Sequence, residues 1–593
     1  MFLNSGKNRW RGFWRWAPCL VWFLAGSAPV AAAETWALVD VNVIPMDGER
    51  VLTDQTVIIR DGVITKLGPS DRVELPERVH LIQAKGHFLL PGLVDMHVHL
   101  NQRDELFLYP AFGVTRVFNL DGAPKHLQWR GDIRAGKLLG PRVYTVGPTL
   151  RADPEGEPDP AEWARLRVQA IHQSGYDGIK LYSDTSAAAY YAAVDKAAEL
   201  GLPVFGHFPH AVRARPAIAH GGLHVVAHAE EFFSGYFSPH SQYISSDEAF
   251  IPDAATEAEI AEAARLTREA GMALIPNHWF NTRILAQAED LNKLLAEPEF
   301  AYLPALTALS WFDSRYAKHE HPERFKLRTR RMLPFLTKIT NGFDRGGVLI
   351  LLGSDASVPG ALPGYSAVME IQHMVAGGLS PYRALLAATA NAGRFFADRL
   401  PHELPFGLVA EGYAADLLLV SGNPLVDPKL LFEIEGVMIA GRWLPRETIR
   451  SELARRAERY PEEQQLIKRL YTLLIARDIA AMRPLMQRMH KEFPDNFLML
   501  DPLIGQAADY FLKRAGDLDT ATALARFRVD FYAASAGAHT QLADFLKAAG
   551  KFEEARRSYL EALARNPEDQ KARAGLDLLN ASDLPMQPPP DSP

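Results

Sequence analysis

Leu89-Leu90-Pro91-Gly92-Leu93-Val94-Asp95-Met96-His97-Val98-His99 is an apolar run that closes on two histidines, and its reading decides the fold. On a β-strand, residues i and i+2 point to the same face, so His97 and His99 project together. Two neutral imidazoles at one rigid strand end make half of a transition-metal site. Taken alone, such a pair is more often an exposed strand end. Metal is favoured here because further possible ligands close later apolar runs.

Eight such runs follow one another: 89–98, 114–120, 142–149, 178–183, 203–208, 224–230, 272–277 and 347–353. Amphipathic stretches at 161–174, 186–200 and 257–270 separate several of them. Eight β units alternating with helices predict an α/β fold, a (β/α)8 TIM barrel over 89–402. Residues 281–346, rich in aromatic and charged side chains, separate the seventh run from the eighth and are expected to be extra helices. Active sites of such barrels lie at the C-terminal strand ends, so this insertion is placed to roof the site.

Short β patterns occur at 36–45 and 56–69, where Asp61-Gly62 is a hairpin signal, and again at 416–420 and 436–444. They predict a small β-sandwich domain composed of 34–88 and 403–450. From 460 to 580 the chain reads as helical and repetitive. Gly516 and Gly550 lie 34 residues apart, as do Ala521 and Ala555. That spacing resembles the tetratricopeptide repeat, a helix–turn–helix unit of about 34 residues. Two units are expected, with a more degenerate third over 463–496, and this region is expected to be separable from the chemistry by truncation near Glu452. The tail 581–593, with Pro588-Pro589-Pro590, is expected to be disordered.

The 593-residue chain is 48% hydrophobic and 23% charged with net charge −7, the composition of a soluble globular enzyme. It has no basic excess that would indicate nucleic acid. Lys7, Arg9, Arg11 and Arg15 precede an apolar run from Ala17 to Val30, and Ala31-Ala32-Ala33 fits a small-residue cleavage site. Residues 1–33 therefore read as a secretory signal, with a retained anchor as the alternative. The expected location is periplasmic or secreted, with no membrane span after cleavage. The sole cysteine, Cys19, would leave with that segment, so any metal must be held by His, carboxylate or a less ordinary group.

The strand ends supply those groups in order. Lys180 lies inside the fourth run, His207 and His228 near the ends of the fifth and sixth, and Asp355 just past the eighth. Individually each has a bland reading, a paired buried lysine or a helix-capping Asp. Together, around one barrel mouth, they form a site.

This arrangement resembles the amidohydrolase superfamily, in its branch with two metals bridged by a carboxylated lysine. The resemblance spans about 35–450 and rests on Pro91 to His99, on Gly140-Pro141-Arg142, and on Gly412 to Asp416 followed by Asn423-Pro424. It is nearest to imidazolonepropionase-related and Xaa-Pro dipeptidase-like members. The resemblance implies that His97, His99 and Asp355 hold one divalent metal and His207 and His228 a second, with the carbamate of Lys180 as bridge. Zn2+ is the default ion, with Mn2+, Co2+ and Fe2+ left open. It implies a hydrolase that cleaves a C–N bond of an amide, dipeptide or cyclic amide by attack of a metal-bridging hydroxide, with Asp355 moving the proton. Tyr182 and His278 are candidates for binding substrate. His210 and Arg213 read as solvated, and His224 is excluded by strand geometry. Family sequences often carry Glu before the strand-six histidine, where this chain has Ala227. The alternatives are an esterase or lactonase with the same site, or an envelope adaptor binding a protein partner through its helical repeats.

Overall fold

The computed structural model describes residues 34–582 except 154–156, 238–254, 313, 315, 318–321 and 401–402. The signal segment 1–33 expected from sequence, and 583–593 of the expected tail, lie outside the described residues, while 581 and 582 end the last helix. Among the described residues, no helix is long and apolar enough to cross a membrane.

Eight strands form one mixed sheet. Five come from the N-terminal flank: β1 (Thr35–Val43), β2 (Leu52–Arg60), β3 (Val63–Pro69), β4 (His80–Gln83) and β5 (Phe88–Pro91). After eight intervening strands, three more come from the far flank: β14 (Leu417–Val420), β15 (Ile434–Ile439) and β16 (Arg442–Pro445). Their order is β16-β15-β14-β5-β1-β2-β3, with β4 beside β1. Where the sequence indicated a sandwich, these strands are hydrogen-bonded as one continuous sheet. The Asp61-Gly62 hairpin is present, with Arg60 paired to Val63 across it. Leu38, Val57, Ile59, Leu89, Leu417, Leu419 and Met438 pack as the apolar core of this sheet domain.

The intervening strands are all parallel. β6 (Leu93–Val98), β7 (Val114–Asn119) and β8 (Arg142–Thr145) form one sheet. β9 (Ile179–Leu181), β10 (Val204–Gly206), β11 (Val225–Ala227), β12 (Ala273–Ile275) and β13 (Leu349–Ile350) form the other. Isolated parallel bridges connect the two sheets on both sides, Val146 with Gly178 and Val98 with Ala356. Each of the eight apolar runs thus contains a core strand, but the run 89–98 contains two strands. The break is at Gly92, whose amide donates to Asp416 O in the mixed sheet (2.8 Å), while Leu93 N turns to Gly113 O beside β7 (2.9 Å).

Three connecting helices match the amphipathic stretches, and each begins on a side chain that accepts from the first turn: Asp159 for Pro160–Gln173, Ser186 for Ala187–Glu199, Thr256 for Glu257–Glu269. Thr256 also receives Glu259 in a reciprocal capping box. The insertion before β13 is helical as expected, with helices His278–Leu295, Ala305–Trp311 and Pro322–Arg345.

The C-terminal region is all helical, and its first helix, Arg446–Ile475, runs without interruption from the end of β16. This region also packs against the rest of the chain. Ala305 and Leu306 of the insertion share an apolar core with Leu466, Ile467, Met482 and Phe497 of the C-terminal helices. Gln464 Nε2 donates to Phe300 O (3.0 Å) and Leu303 O (2.7 Å) in the same insertion. Truncation near Glu452 would cut the docking helix in its second turn and expose that core. The small-residue spacing in the sequence reported packing within the repeats, and carried no sign of packing outward.

Asp416 locks the mixed sheet to the parallel strands. Its carboxylate accepts from Arg142 Nε on β8 (2.9 Å) and Ala440 N (2.9 Å), and lies 2.7 Å from the Arg116 guanidinium of β7. Burial pushes the carboxyl up, but the two guanidiniums and the hydrogen bonds more than reverse this, so it titrates below its ordinary value. A depressed folded pKa contributes stability above the unfolded value of about 3.9, lost as pH falls through the folded value. Asp416→Asn should therefore destabilise the protein by about 3–5 kcal/mol at pH 7. The gap between variant and wild type in thermal unfolding should narrow below about pH 4. An unchanged gap at acid pH would contradict this role.

Candidate active site

The floor of the site is an apolar layer in which Val94, Met96, Phe118, Leu120, Phe205, Val225, Ile275 and Leu351 pack together. Above it, the strand ends deliver the polar residues. His97 is in β6 and His99 follows it; Lys180 is the middle residue of β9; His207 and His228 directly follow β10 and β11. Asp355 lies five residues past β13, where the chain pairs back onto β6 through Met96 N to Leu352 O and Asp355 N to His97 O, both 2.8 Å. This return requires Gly353, since a Cβ there would lie 2.4 Å from Ile275 Cγ2 and 2.7 Å from His97 Cβ.

Two of these residues hold a backbone that L side chains avoid. His228 has φ +76° and Asp355 φ +59°, and Asn277 at the end of β12 has φ +57°. Left-handed conformations at non-glycine residues cost on the order of 1–3 kcal/mol each and persist where the surroundings enforce them, commonly at functional sites. Asn277 is buried and donates to Gly353 O at 2.8 Å, tying β12 to the Asp355 segment.

His97, His228 and Asp355, all buried, bring one ligand atom each to within 4.8 Å of one another, an arrangement able to hold a metal ion. Asp355 Oδ1 lies 3.2 Å from His97 Nε2 and 2.9 Å from His99 Nε2, and Oδ2 lies 3.8 Å from His228 Nε2. Among the described residues, His97 Nδ1 and His228 Nδ1 have no hydrogen-bond partner. His207 stacks on His228 with ring centroids 5.1 Å apart. Burial, reinforced by the neighbouring Lys180, pushes His97, His207 and His228 well below the ordinary imidazole value. Neutral rings keep a lone pair to donate, which is what a metal ligand needs. Burial would raise the Asp355 carboxyl, but His99, His228 and Lys180 beside it hold it below the ordinary value, so it is ionised. An ionised, buried carboxylate within reach of two neutral buried imidazoles fits a cation.

Lys180 is buried, and burial lowers its amine to about 8 against the upward pull of Asp355 and Glu231. Tyr182 lies beside the cluster, its ring 4.7 Å from His207, and the Arg151 guanidinium lies 4.2 Å over the Tyr182 ring. His278 takes another place. Its Nε2 meets Thr340 Oγ1 at 2.8 Å and its amide donates to Glu370 Oε1 at 2.9 Å, so it anchors the insertion helix and is not among the side chains around Asp355.

Several carboxylates around the cluster escaped the sequence reading. Glu231 is buried with its Oε1 2.8 Å from His207 Nδ1, while Oε2 accepts from Phe208 N at 3.1 Å. This orients the ring so that Nε2 is left as donor to a metal. Glu230 lies 3.7 Å from His228 Nδ1 and accepts from Asn281. Asp95, fully buried, accepts from the Ser354 hydroxyl, Ser354 N (3.0 Å) and His97 N (3.2 Å), joining the first strand end to the last. Burial pushes Asp95 up to about 7. The signal was in the sequence: Asp95 interrupts an apolar run, and Glu230-Glu231 follow His228 where an exposed helix start would be the ordinary reading.

The Amidohydrolase family model matches residues 131–444. An ochratoxinase of Aspergillus niger is 24% identical over 425 residues, which cover 66% of this chain and 82% of that relative. A bottromycin amidohydrolase structure overlays with a TM-score of 0.55 at 23% identity, covering 72% of this chain and 90% of its own. A Xaa-Pro dipeptidase with bound methionine in its active site overlays at 0.52 and 19% identity, covering 70% of this chain and all of its own. These structural likenesses establish the fold.

Glu231→Gln should weaken metal retention and lower kcat/KM about 10–100-fold, the effect of removing a carboxylate that orients a ligating imidazole. Metal analysis of the purified variant beside its kinetics checks this. Full metal and full turnover would leave Glu231 no part in the site.

Proposed function

Because the chain belongs to the amidohydrolase family and is a hydrolase acting on C–N bonds, we propose that it is an exported binuclear enzyme for a small amide, dipeptide or cyclic amide. The observation that carries this reading is the convergence of buried, neutral imidazoles on the ionised Asp355. His97, His99 and Asp355 would hold one divalent metal, with Zn2+ the default, and His207 and His228 the other. Bound there, the metals would polarise the scissile carbonyl and lower the pKa of water toward about 7.

Asp355 is the group placed to handle the proton. Ionised and buried, its carboxylate accepts a proton from the attacking water and passes it to the leaving nitrogen. The left-handed backbone at Asp355 and the donors on Asp95 fix where that carboxylate sits. Lys180 would bridge the metals once its neutral amine forms an N–C bond to carbon dioxide and loses a proton. Its lowered pKa supports that step, since only the neutral amine has a lone pair.

The dipeptidase and amidohydrolase among the similar structures support an amide or dipeptide substrate. Arg151 supports one bearing a carboxylate. It is anchored to β9 through its neighbour Leu150, by Leu150 N to Lys180 O (2.9 Å) and Tyr182 N to Leu150 O (3.0 Å). Its exposed guanidinium rests on Tyr182 at the edge of the cluster, free to pair with an anion.

The finer architecture belongs to the same reading. The eight parallel strands are a closed (β/α)8 barrel, supported by the bridges at both seams. The C-terminal helix pairs are tetratricopeptide-like, supported by Gly516 and Gly550, which turn at φ +64° and +72° ahead of the buried Ala521 and Ala555. Export rests on the charged and apolar pattern of residues 1–30.

Two measurements test the proposal. Lys180→Ala should lose metal and turnover and recover part of both with added short-chain carboxylic acids, whereas Lys180→Arg should not recover, because guanidinium stays cationic. A fully active Arg variant would make the lysine structural. With N-acyl amino acids, wild type should prefer the free acid over its C-terminal amide, and Arg151→Met should erase most of that preference, about ten-fold in KM for one charge-assisted pair. Equal use of acid and amide by wild type would remove Arg151 from substrate recognition.

A further inference from the structure

Glu105 is a carboxylate with no exposure at all, outside the ligand set and outside the proton path described above. It lies in the 3-10 turn Arg103–Phe107, which leaves β6 just after His99. Three segments donate to it. Asn101 N reaches Oε2 at 3.0 Å, Ser357 Oγ reaches Oε2 at 3.0 Å, and the Thr307 hydroxyl meets Oε1. Asn101 is two residues beyond His99, and Ser357 is two residues beyond Asp355. Ser357 N in turn donates to His99 O at 3.1 Å, and Ser357 O accepts from Trp311 Nε1 at 3.3 Å.

The third segment connects the turn to the C-terminal region. Thr307 and Trp311 lie on helix Ala305–Trp311, whose Ala305 and Leu306 are embedded in the apolar core of the C-terminal helices. The neighbouring residue, Asp104, is gripped by that same region from the other side. Arg456 Nη1 donates to Asp104 O at 2.8 Å, and Tyr460 Oη donates to Asp104 Oδ2 at 3.1 Å. The Arg456 guanidinium also lies 5.1 Å over the Phe107 ring of the turn.

We propose that Glu105 is a positioning residue through which the docked C-terminal helices hold the His99 and Asp355 loops at ligand spacing. This rests on the reading of His97, His99 and Asp355 as metal ligands. A carboxylate with two oxygens and three donors from different segments fixes their relative position in a way one pairwise contact does not. Its burial raises its own carboxyl from the ordinary value, a penalty sustained only because all three donors are present. The consequence is that the C-terminal helices are part of the catalytic unit, and anything that bends the Arg446–Ile475 helix reaches the ligand loops through Asp104 and Glu105.

The experiment compares full-length wild type with Glu105→Gln, and with Arg456→Met and Tyr460→Phe at the distal end. It measures Zn2+ affinity by chelator competition and amide hydrogen exchange at 99–107 and 355–359. Glu105→Gln, whose amide turns a donor toward existing donors, should weaken Zn2+ affinity at least about ten-fold. It should also speed exchange in both segments at once. Arg456→Met and Tyr460→Phe should speed exchange at 99–107 and, to a smaller degree, at 355–359, with exchange of β9–β12 unchanged. If Glu105→Gln fails to fold, the two distal variants carry the test alone. Unchanged exchange in both segments of the folded variants, or faster exchange spread evenly over the barrel, would overturn the proposal by making the contact packing only. Wild type that binds no Zn2+ while the variants still loosen both loops would instead overturn the metal reading and leave the mechanical coupling standing.

Discussion

Asp355 carries a negative charge where it is almost completely removed from water, and an unpaired charge in such a place costs several kcal/mol. Its surroundings offer little ordinary compensation. Two of the imidazoles that face it, His97 and His228, are driven toward their neutral form by burial. Lys180, a cation pressed into the same space, is itself lowered to about 8. A divalent ion resolves this frustration in one step, giving the carboxylate a counter-charge and the imidazoles an acceptor for their lone pairs.

Holding that arrangement requires the strand ends to approach closely, and much of the molecule serves this. Gly353 lets the last segment lie against His97, Asp95 joins the first strand end to Ser354, and Asn277 pins the segment from β12. Left-handed backbone at His228, Asn277 and Asp355 is tolerated only because these contacts over-determine it. At the opposite end Asp416 clamps β7 and β8 to the mixed sheet. The C-terminal helices pack on the insertion that follows β12.

Much of this was legible in the residues. Eight apolar runs located the eight parallel strands, and the ends of four of them supplied His97, His99, His207, His228 and Asp355. The Asp61-Gly62 hairpin and the helical insertion followed from local turn chemistry and periodicity. What stayed hidden was relational. The run 89–98 reads as one strand because nothing apolar marks the change of hydrogen-bonding partner at Gly92. Glu231 holds the His207 ring and Asp95 joins His97 to Ser354, and single-chain order does not reveal which carboxylate folds back on which imidazole. His278 follows a strand end and reads as a site residue, yet it turns to Thr340, a partner sixty-two residues away. That the C-terminal helices bury apolar surface on the rest of the chain was foreseeable, but that they meet Ala305 and Leu306 was not.

Anomalous X-ray scattering from crystals of the full-length protein tests most directly whether the Asp355 cluster is a metal centre. Data collected on either side of the zinc absorption edge should give anomalous density bounded by His97, His99, His228 and Asp355. A second peak should lie toward His207. A protein that turns over substrate but shows no anomalous density there at the zinc, manganese, cobalt or iron edge, with Asp355 hydrogen-bonded to a protonated histidine, would contradict the account.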